Sequence, residues 1–146
     1  NGGGLGVLAV DACEEAGVLL PALSEKTIRA LDKNKVMEKI KIKRNPLDVI
    51  GDALPDRYEA GIRALLEQEN IFGVLVLQGM QIMTQPLENA KIIVELKNKF
   101  PDKAIITCFA GEKLAAEAIK YLESNNIPNY TDPKRAVKVL NSLIIK

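Results

Sequence analysis

A doubly wound α/β domain, with parallel strands covered by helices on both faces, is the fold class this sequence predicts, and two observations predict it. Phe72-Gly73-Val74-Leu75-Val76-Leu77 and residues 104–109 are short apolar runs without polar alternation. Such runs suit strands buried on both faces of a parallel sheet. Amphipathic stretches of about 10–15 residues alternate with them, the pattern of βαβ units.

The elements follow in order. Leu5, Leu8, Ala9, Ala12 and Ala16 share one face of a helix predicted over residues 4–16, stopped by Gly17. Ser24 reads as an N-cap for a helix over 25–31, with Ile28 and Leu31 inward. The Lys-rich run 33–44 reads as a solvated face or an edge strand. Residues 46–50 are expected to be a short extended stretch closed by Gly51-Asp52. A helix over 55–68 carries Tyr58, Ile62, Leu65 and Leu66 inward. Strand 72–77 follows, then a helix to Lys99 with Pro86 at its first position. Strand 104–109 and a helix over 112–124 come next, broken by Asn125-Asn126. A short strand over 127–130 and a helix from Asp132-Pro133 to about residue 144 complete the chain.

The 146 residues suffice for one core, and the chain reads as a single domain over 1–146. Hydrophobic content of 47% and charged content of 27% are those of a globular protein. A net charge of +1 with 4% aromatic residues argues against a nucleic-acid partner. No apolar run is long enough to span a bilayer, and the opening residues do not read as a signal peptide, so no membrane partner is expected. Cys13 and Cys108 sit in apolar surroundings and read as free thiols of a cytoplasmic protein. With no histidine, the chain itself supplies no imidazole chemistry and no histidine-ligated metal site.

The opening Asn1-Gly2-Gly3-Gly4-Leu5-Gly6 is the strongest site signal. Glycines let backbone N–H groups approach a ligand, and the first helical N–H groups lack internal partners. The helix dipole adds positive character, so phosphate or carboxylate is the natural guest. A tight turn without a ligand accounts for the same residues. Such a loop normally follows a strand, and none precedes Asn1; the chain is therefore expected to be excised from a longer polypeptide, with the first strand missing. Asn45, Asp48, Gly51 and Asp52 combine turn chemistry with two carboxylates near a possible phosphate loop, and Asp52 also suits a helix cap. The loops 2–6, 51–52, 79–84 and 110–111, bearing Gln81 and Gly111, should converge at the carboxyl ends of the strands.

Residues 1–11 and 45–53 together resemble the nucleoside-diphosphate-forming acyl-CoA synthetases, the family of ADP-forming acetate–CoA ligase and succinyl-CoA synthetase. Gln81, Met83, Thr84 and Pro86 before a helix, Ile127-Pro128, and Asp132-Pro133 with Ala136-Val137 extend the likeness over nearly the whole chain. Met80, Gln85 and Ala110 depart from the family's usual residues. The resemblance is to the last flavodoxin-like domain of the acetate–CoA ligase large chain. It implies part of an enzyme converting acetyl-CoA, ADP and phosphate to acetate, CoA and ATP. It implies no cofactor on this domain alone, with CoA, ADP/ATP and Mg used by the parent, and CoA-binding, phosphohistidine and ATP-grasp domains as partners. Residues 1–6 would then face phosphate or phosphohistidine, and the isolated chain, lacking histidine, would be inactive. The alternative is a non-catalytic acyl-CoA-sensing or scaffold domain fused to a protein acetyltransferase.

Overall fold

The structure, a computed structural model, describes residues 1–144. Helix α1 spans Gly3–Ala16 between two left-handed glycines, Gly2 and Gly17. Its C-terminal carbonyls are satisfied by returning N–H groups: Gly17 donates to Glu14 and Val18 to Cys13. Helix α2 (Glu25–Lys33) begins at Ser24, whose hydroxyl accepts from the Thr27 N–H at 3.1 Å. Helix α3 is Pro55–Leu66, strand β1 Gly73–Gln78, helix α4 Pro86–Lys99, strand β2 Ala104–Phe109, helix α5 Glu112–Ser124 and helix α6 Pro133–Ile144. Proline occupies the first turn of α3 and α4, where its missing N–H costs nothing.

Strands β1 and β2 pair in parallel, with Gly73 opposite Ala104 and Gln78 opposite Phe109. Val74 and Val76 of β1 and Ile105 and Phe109 of β2 join Ile62, Leu66, Ile93, Leu96, Ala118 and Leu122 in the main core under α3, α4 and α5. On the other face Ile106 and Cys108 pack with Ala136 and Leu140 of α6. Ala12 and Cys13 of α1 close against Val137. Small side chains on α1 bring it close to α6. The expected layering therefore holds: one parallel sheet between two helical layers.

Two expected strands differ, each for a local reason, and the basic run takes the solvated-face form of its two readings. Residues 46–50 form no strand. Asp48 folds back to accept the Ile50 N–H at 2.8 Å, Ile50 takes a left-handed φ of 57°, and the Val49 carbonyl accepts from the Arg57 guanidinium at 3.2 Å. The basic run holds a 3-10 turn, Lys35–Met37, and no edge strand. Lys39 and Lys43 pair with Asp52 and Asp32 at its surface. The strand expected over 127–130 shrinks to one parallel bridge, Thr107 with Asn129. There the Asn129 side chain, not a further backbone group, accepts the Phe109 N–H at 2.9 Å.

At the opposite edge of β1, Asn1 completes the same parallel pattern. Its nitrogen donates to the Leu77 carbonyl at 3.2 Å, and its carbonyl lies 3.4 Å from the Gly79 nitrogen. Donation to the residue before Gln78 and acceptance from the residue after it is the signature of parallel pairing.

Candidate anion site at the carboxyl ends of the strands

The site begins with Asn1, which is buried although it is the first residue. Besides its two backbone contacts, its carboxamide oxygen accepts from the Gly79 N–H at 2.8 Å. Its amide nitrogen donates to the Thr84 hydroxyl at 3.4 Å. Thr84 in turn donates to the Gly79 carbonyl at 3.3 Å and accepts from the Gln81 N–H at 3.0 Å. The N-terminal segment and the loop after β1 are thus one hydrogen-bonded unit.

Gly2 then reverses the chain into α1 with φ 95° and ψ 81°, a left-handed conformation that glycine adopts without a steric penalty. Its carbonyl accepts from the Leu5 and Gly6 N–H groups at 3.1 and 3.3 Å. The N–H groups of Gly3 and Gly4 have no acceptor among the described residues. Both residues are exposed, and a Cβ on either would meet no protein atom within 4 Å. The first turn of α1 carries no acidic side chain. Two free donors at the positive end of a 14-residue helix, in open space, can take two oxygens of one anion. Steric need for glycine thus falls on Gly2; at Gly3, Gly4 and Gly6 an added Cβ would meet nothing within 4 Å.

The expected convergence of loops is present. A Cβ on Gly2 would lie 3.7 Å from the Gly79 nitrogen, one on Gly51 would lie 3.7 Å from Gln81, and one on Gly111 would lie 2.8 Å from Met80. The loop 79–81 therefore touches the segments opening α1, preceding α3 and opening α5. Gly111 is the left-handed N-cap of α5, with φ 88°.

Not every candidate joins this cluster. Asn45 donates to the Pro21 carbonyl at 3.1 Å instead. The Asp52 carboxylate is occupied by Lys39 and Arg57, which hold its carboxyl down at about 2. It forms no side-chain cap for α3, whose N-cap is Leu54. Asp48 lies near enough to raise the pKa of both the Asn1 amino group and the Tyr58 phenol. Burial acts more strongly on each, pushing the amine down and the phenol up. Among the described residues no cluster of three or more metal-ligating side chains forms.

Sequence reasoning placed the loop 79–84 at the strand ends but singled out only Gln81 in it as a site residue, and it missed Tyr58. Tyr58 reads as core from its helical spacing, yet its hydroxyl lies 3.5 Å from the Asn1 nitrogen. Gly79 directly follows β1, and its nitrogen receives the close approach of Asn1 and Gly2.

Residues 1–143 match the family model described as Ligase-CoA domain. The chain is 44% identical over 146 residues to an ADP-forming acetate–CoA ligase of Methanocaldococcus jannaschii, covering 98% of this chain and 20% of that one. It is 36% identical over 145 residues to the alpha subunit of ADP-forming acetate–CoA ligase I of Pyrococcus furiosus, covering 98% and 30%. Among solved structures, the dinucleotide forming acetyl-coenzyme A synthetase 1 of Ca. Korarchaeum cryptofilum, in complex with phosphate and ADP, superposes with a TM-score of 0.86 at 29% identity. That match covers 98% of this chain and 31% of the other. A Pyrococcus horikoshii crystal structure superposes at 0.87 and 26% identity, over 99% and 33%. The chain thus spans about a fifth to a third of the length of the proteins it matches.

Proposed function

This chain belongs to the Ligase-CoA domain family, and from that premise we propose that it is the phosphate-facing, flavodoxin-like domain of a cytoplasmic ADP-forming acyl-CoA synthetase of the acetate type. The overall conversion is acetyl-CoA, ADP and phosphate to acetate, CoA and ATP. The free N–H groups of Gly3 and Gly4 at the start of α1 carry the reading. They donate to oxygens of phosphate, or of a phosphorylated histidine presented by another domain, since this chain has none. ADP/ATP, CoA and Mg belong to the other domains of the parent, including an ATP-grasp partner.

The chain's own contribution is preorganisation. Asn1 and Thr84 fix the loop after β1 against Gly2, so the donors are aimed before the anion arrives. Donors fixed in this way stabilise charge without reorganisation; removing one typically costs about 100-fold to 1,000-fold in rate. The site holds no cation of its own on the first turn, so selectivity rests on geometry and on the partner.

Phosphoenzyme formation in the full-length polypeptide tests this. Gly3→Val puts a branched side chain into the open space before the helix. Labelling from radioactive phosphate and acetyl-CoA should fall by on the order of 100-fold, while the melting temperature stays near that of the unsubstituted protein. Unchanged labelling in a folded Gly3→Val protein would refute the role of this loop.

A further inference from the structure

Gln78 and Asn89 form a polar pair inside the main core. Gln78 is the last residue of β1, Asn89 lies near the start of α4, and both side chains are fully buried. Alternation along β1 turns Val74, Val76 and Gln78 to one buried face. Val76, Phe109, Ala90 and Ile93, their neighbours in β1, β2 and α4, are all apolar core residues. The Asn89 amide nitrogen donates to Gln78 Oε1 at 2.5 Å. Among the described residues Gln78 Nε2 and Asn89 Oδ1 have no partner. Buried polar atoms without partners cost stability, and two apolar side chains of similar volume would avoid that cost. Stability therefore does not account for the pair.

The pair does bridge the base of one loop. Residues 79–85 leave β1 directly after Gln78 and lead into α4, which Pro86 begins. This loop carries contacts of the anion site. The Gly79 N–H donates to Asn1 Oδ1 at 2.8 Å, and the Thr84 hydroxyl accepts from the Asn1 amide at 3.4 Å and the Gln81 N–H at 3.0 Å. A Cβ on Gly2 would lie 3.7 Å from the Gly79 nitrogen. Helix α4 otherwise meets the core through Ala90, Ile93, Val94 and Leu96. Such contacts have no direction, so they hold the helix against the core more firmly than they fix its position along its own axis. A hydrogen bond in a dry interior has direction, and a buried polar residue can set register at a cost in stability.

We propose that Gln78 and Asn89 are positioning residues for the anion site. Their bond sets the register of α4 against β1, and with it the path of the loop 79–85 beside the Gly2 turn. Both side chains are enclosed, so they act through the loop and not on the anion. The effect on phosphoryl transfer rests on the phosphate reading of that turn; the effect on the loop does not.

Three variants of the full-length polypeptide test this. Each is followed by thermal unfolding, by hydrogen exchange of the peptide spanning residues 79–85, and by phosphoenzyme labelling from radioactive phosphate and acetyl-CoA. Gln78→Leu with Asn89→Leu removes the bond and the unpartnered atoms together. Its melting temperature should be equal or higher, while the loop exchanges faster. Labelling should fall on the order of 10-fold to 100-fold, the range for a displacement of up to about 1 Å at a reacting centre. A pair that merely held the fold together would lower stability and labelling in parallel. Asn89→Gln keeps both carboxamides but lengthens the link by one methylene, so loop exchange should rise and labelling fall. Adding Gln78→Asn to it restores the total length and should bring both back. If the apolar pair does not fold, this rescue decides. Unchanged loop exchange in the apolar pair, or a folded double carboxamide variant without rescue, overturns the proposal. So does faster loop exchange with undiminished labelling where Gly3→Val loses it. Unchanged labelling in Gly3→Val marks failure of the phosphate reading instead, and loop exchange then still decides whether the pair sets the register.

Discussion

Asn1 holds Gly79 through two acceptors at once: its side-chain oxygen lies 2.8 Å from the Gly79 nitrogen and its main-chain oxygen 3.4 Å from the same atom. One residue thereby ends a parallel pairing and starts the turn into α1. The carboxamide also reaches Thr84, so the loop before α4 is tied to the same point.

Gly2→Ala should destabilise the chain by about 1–2 kcal/mol, the cost of a left-handed conformation for a residue with a Cβ. Gly3→Ala should stay within about 0.5 kcal/mol, as for other exposed, unstrained positions. Denaturant unfolding of both variants checks the contrast. Equal losses would mean that the φ of Gly2 is not what requires glycine there.

Stability should fall with pH in a window set by Asp52. Hydrogen bonding from Lys39 and then Arg57 holds its carboxyl down to about 2 from the ordinary 3.8. A depressed carboxyl contributes stability that is present above its unfolded value, near pH ~4, and is lost as pH falls through its folded value, near ~2. Melting curves between these limits should show a steeper loss for the unsubstituted chain than for Asp52→Asn. Parallel curves would remove Asp52 from the acid response.

Gln68 joins the segment before α2 to the end of α3. Its Oε1 accepts from the Ser24 N–H at 2.9 Å and the Thr27 hydroxyl at 2.8 Å, and its Nε2 donates to the Ala22 carbonyl at 3.0 Å. Gln68→Ala strands these buried groups and should cost about 1–3 kcal/mol. Thermal unfolding measures it; a loss no larger than for an exposed residue would show that water replaces the amide.

Cys13 and Cys108 are buried and free. Burial pushes both thiols up, Cys108 to about 11 with help from Asp132. At pH 8 a thiol of that kind is thiolate in about one molecule per thousand. A disulfide reagent should label both only on the timescale of unfolding. Fast labelling of folded protein would contradict this placement.

The parts of the fold legible from sequence are those with a local cause. Continuous β-rich runs marked β1 and β2, Ser24 marked the start of α2, and Pro86 and Pro133 marked α4 and α6. Where side chains intercept backbone groups, periodicity failed. Asp48 and Arg57 dismantled the strand expected at 46–50, and Asn129 replaced a backbone partner of Phe109. For the site, the loops after β1 and β2 were readable from their positions after strands; Gly51 meets Gln81 although no strand precedes it. The diversion of Asn45 to Pro21, 24 residues back, and of Asp52 to Arg57 across the turn into α3 was not, since neither contact follows helix or strand periodicity. The expected flavodoxin-like class stands, with two ladder strands and single-residue pairings at Asn1 and Asn129 among the described residues.

The most direct test of the central claim is a titration of isotope-labelled protein with inorganic phosphate, followed residue by residue through its amide resonances at constant ionic strength. The account predicts saturable shifts centred on the Gly3 and Gly4 amides, weaker ones at Gly2 and Gly79, and none of this pattern with chloride. Phosphate-induced shifts that miss Gly3 and Gly4, or a response that chloride reproduces, would contradict it.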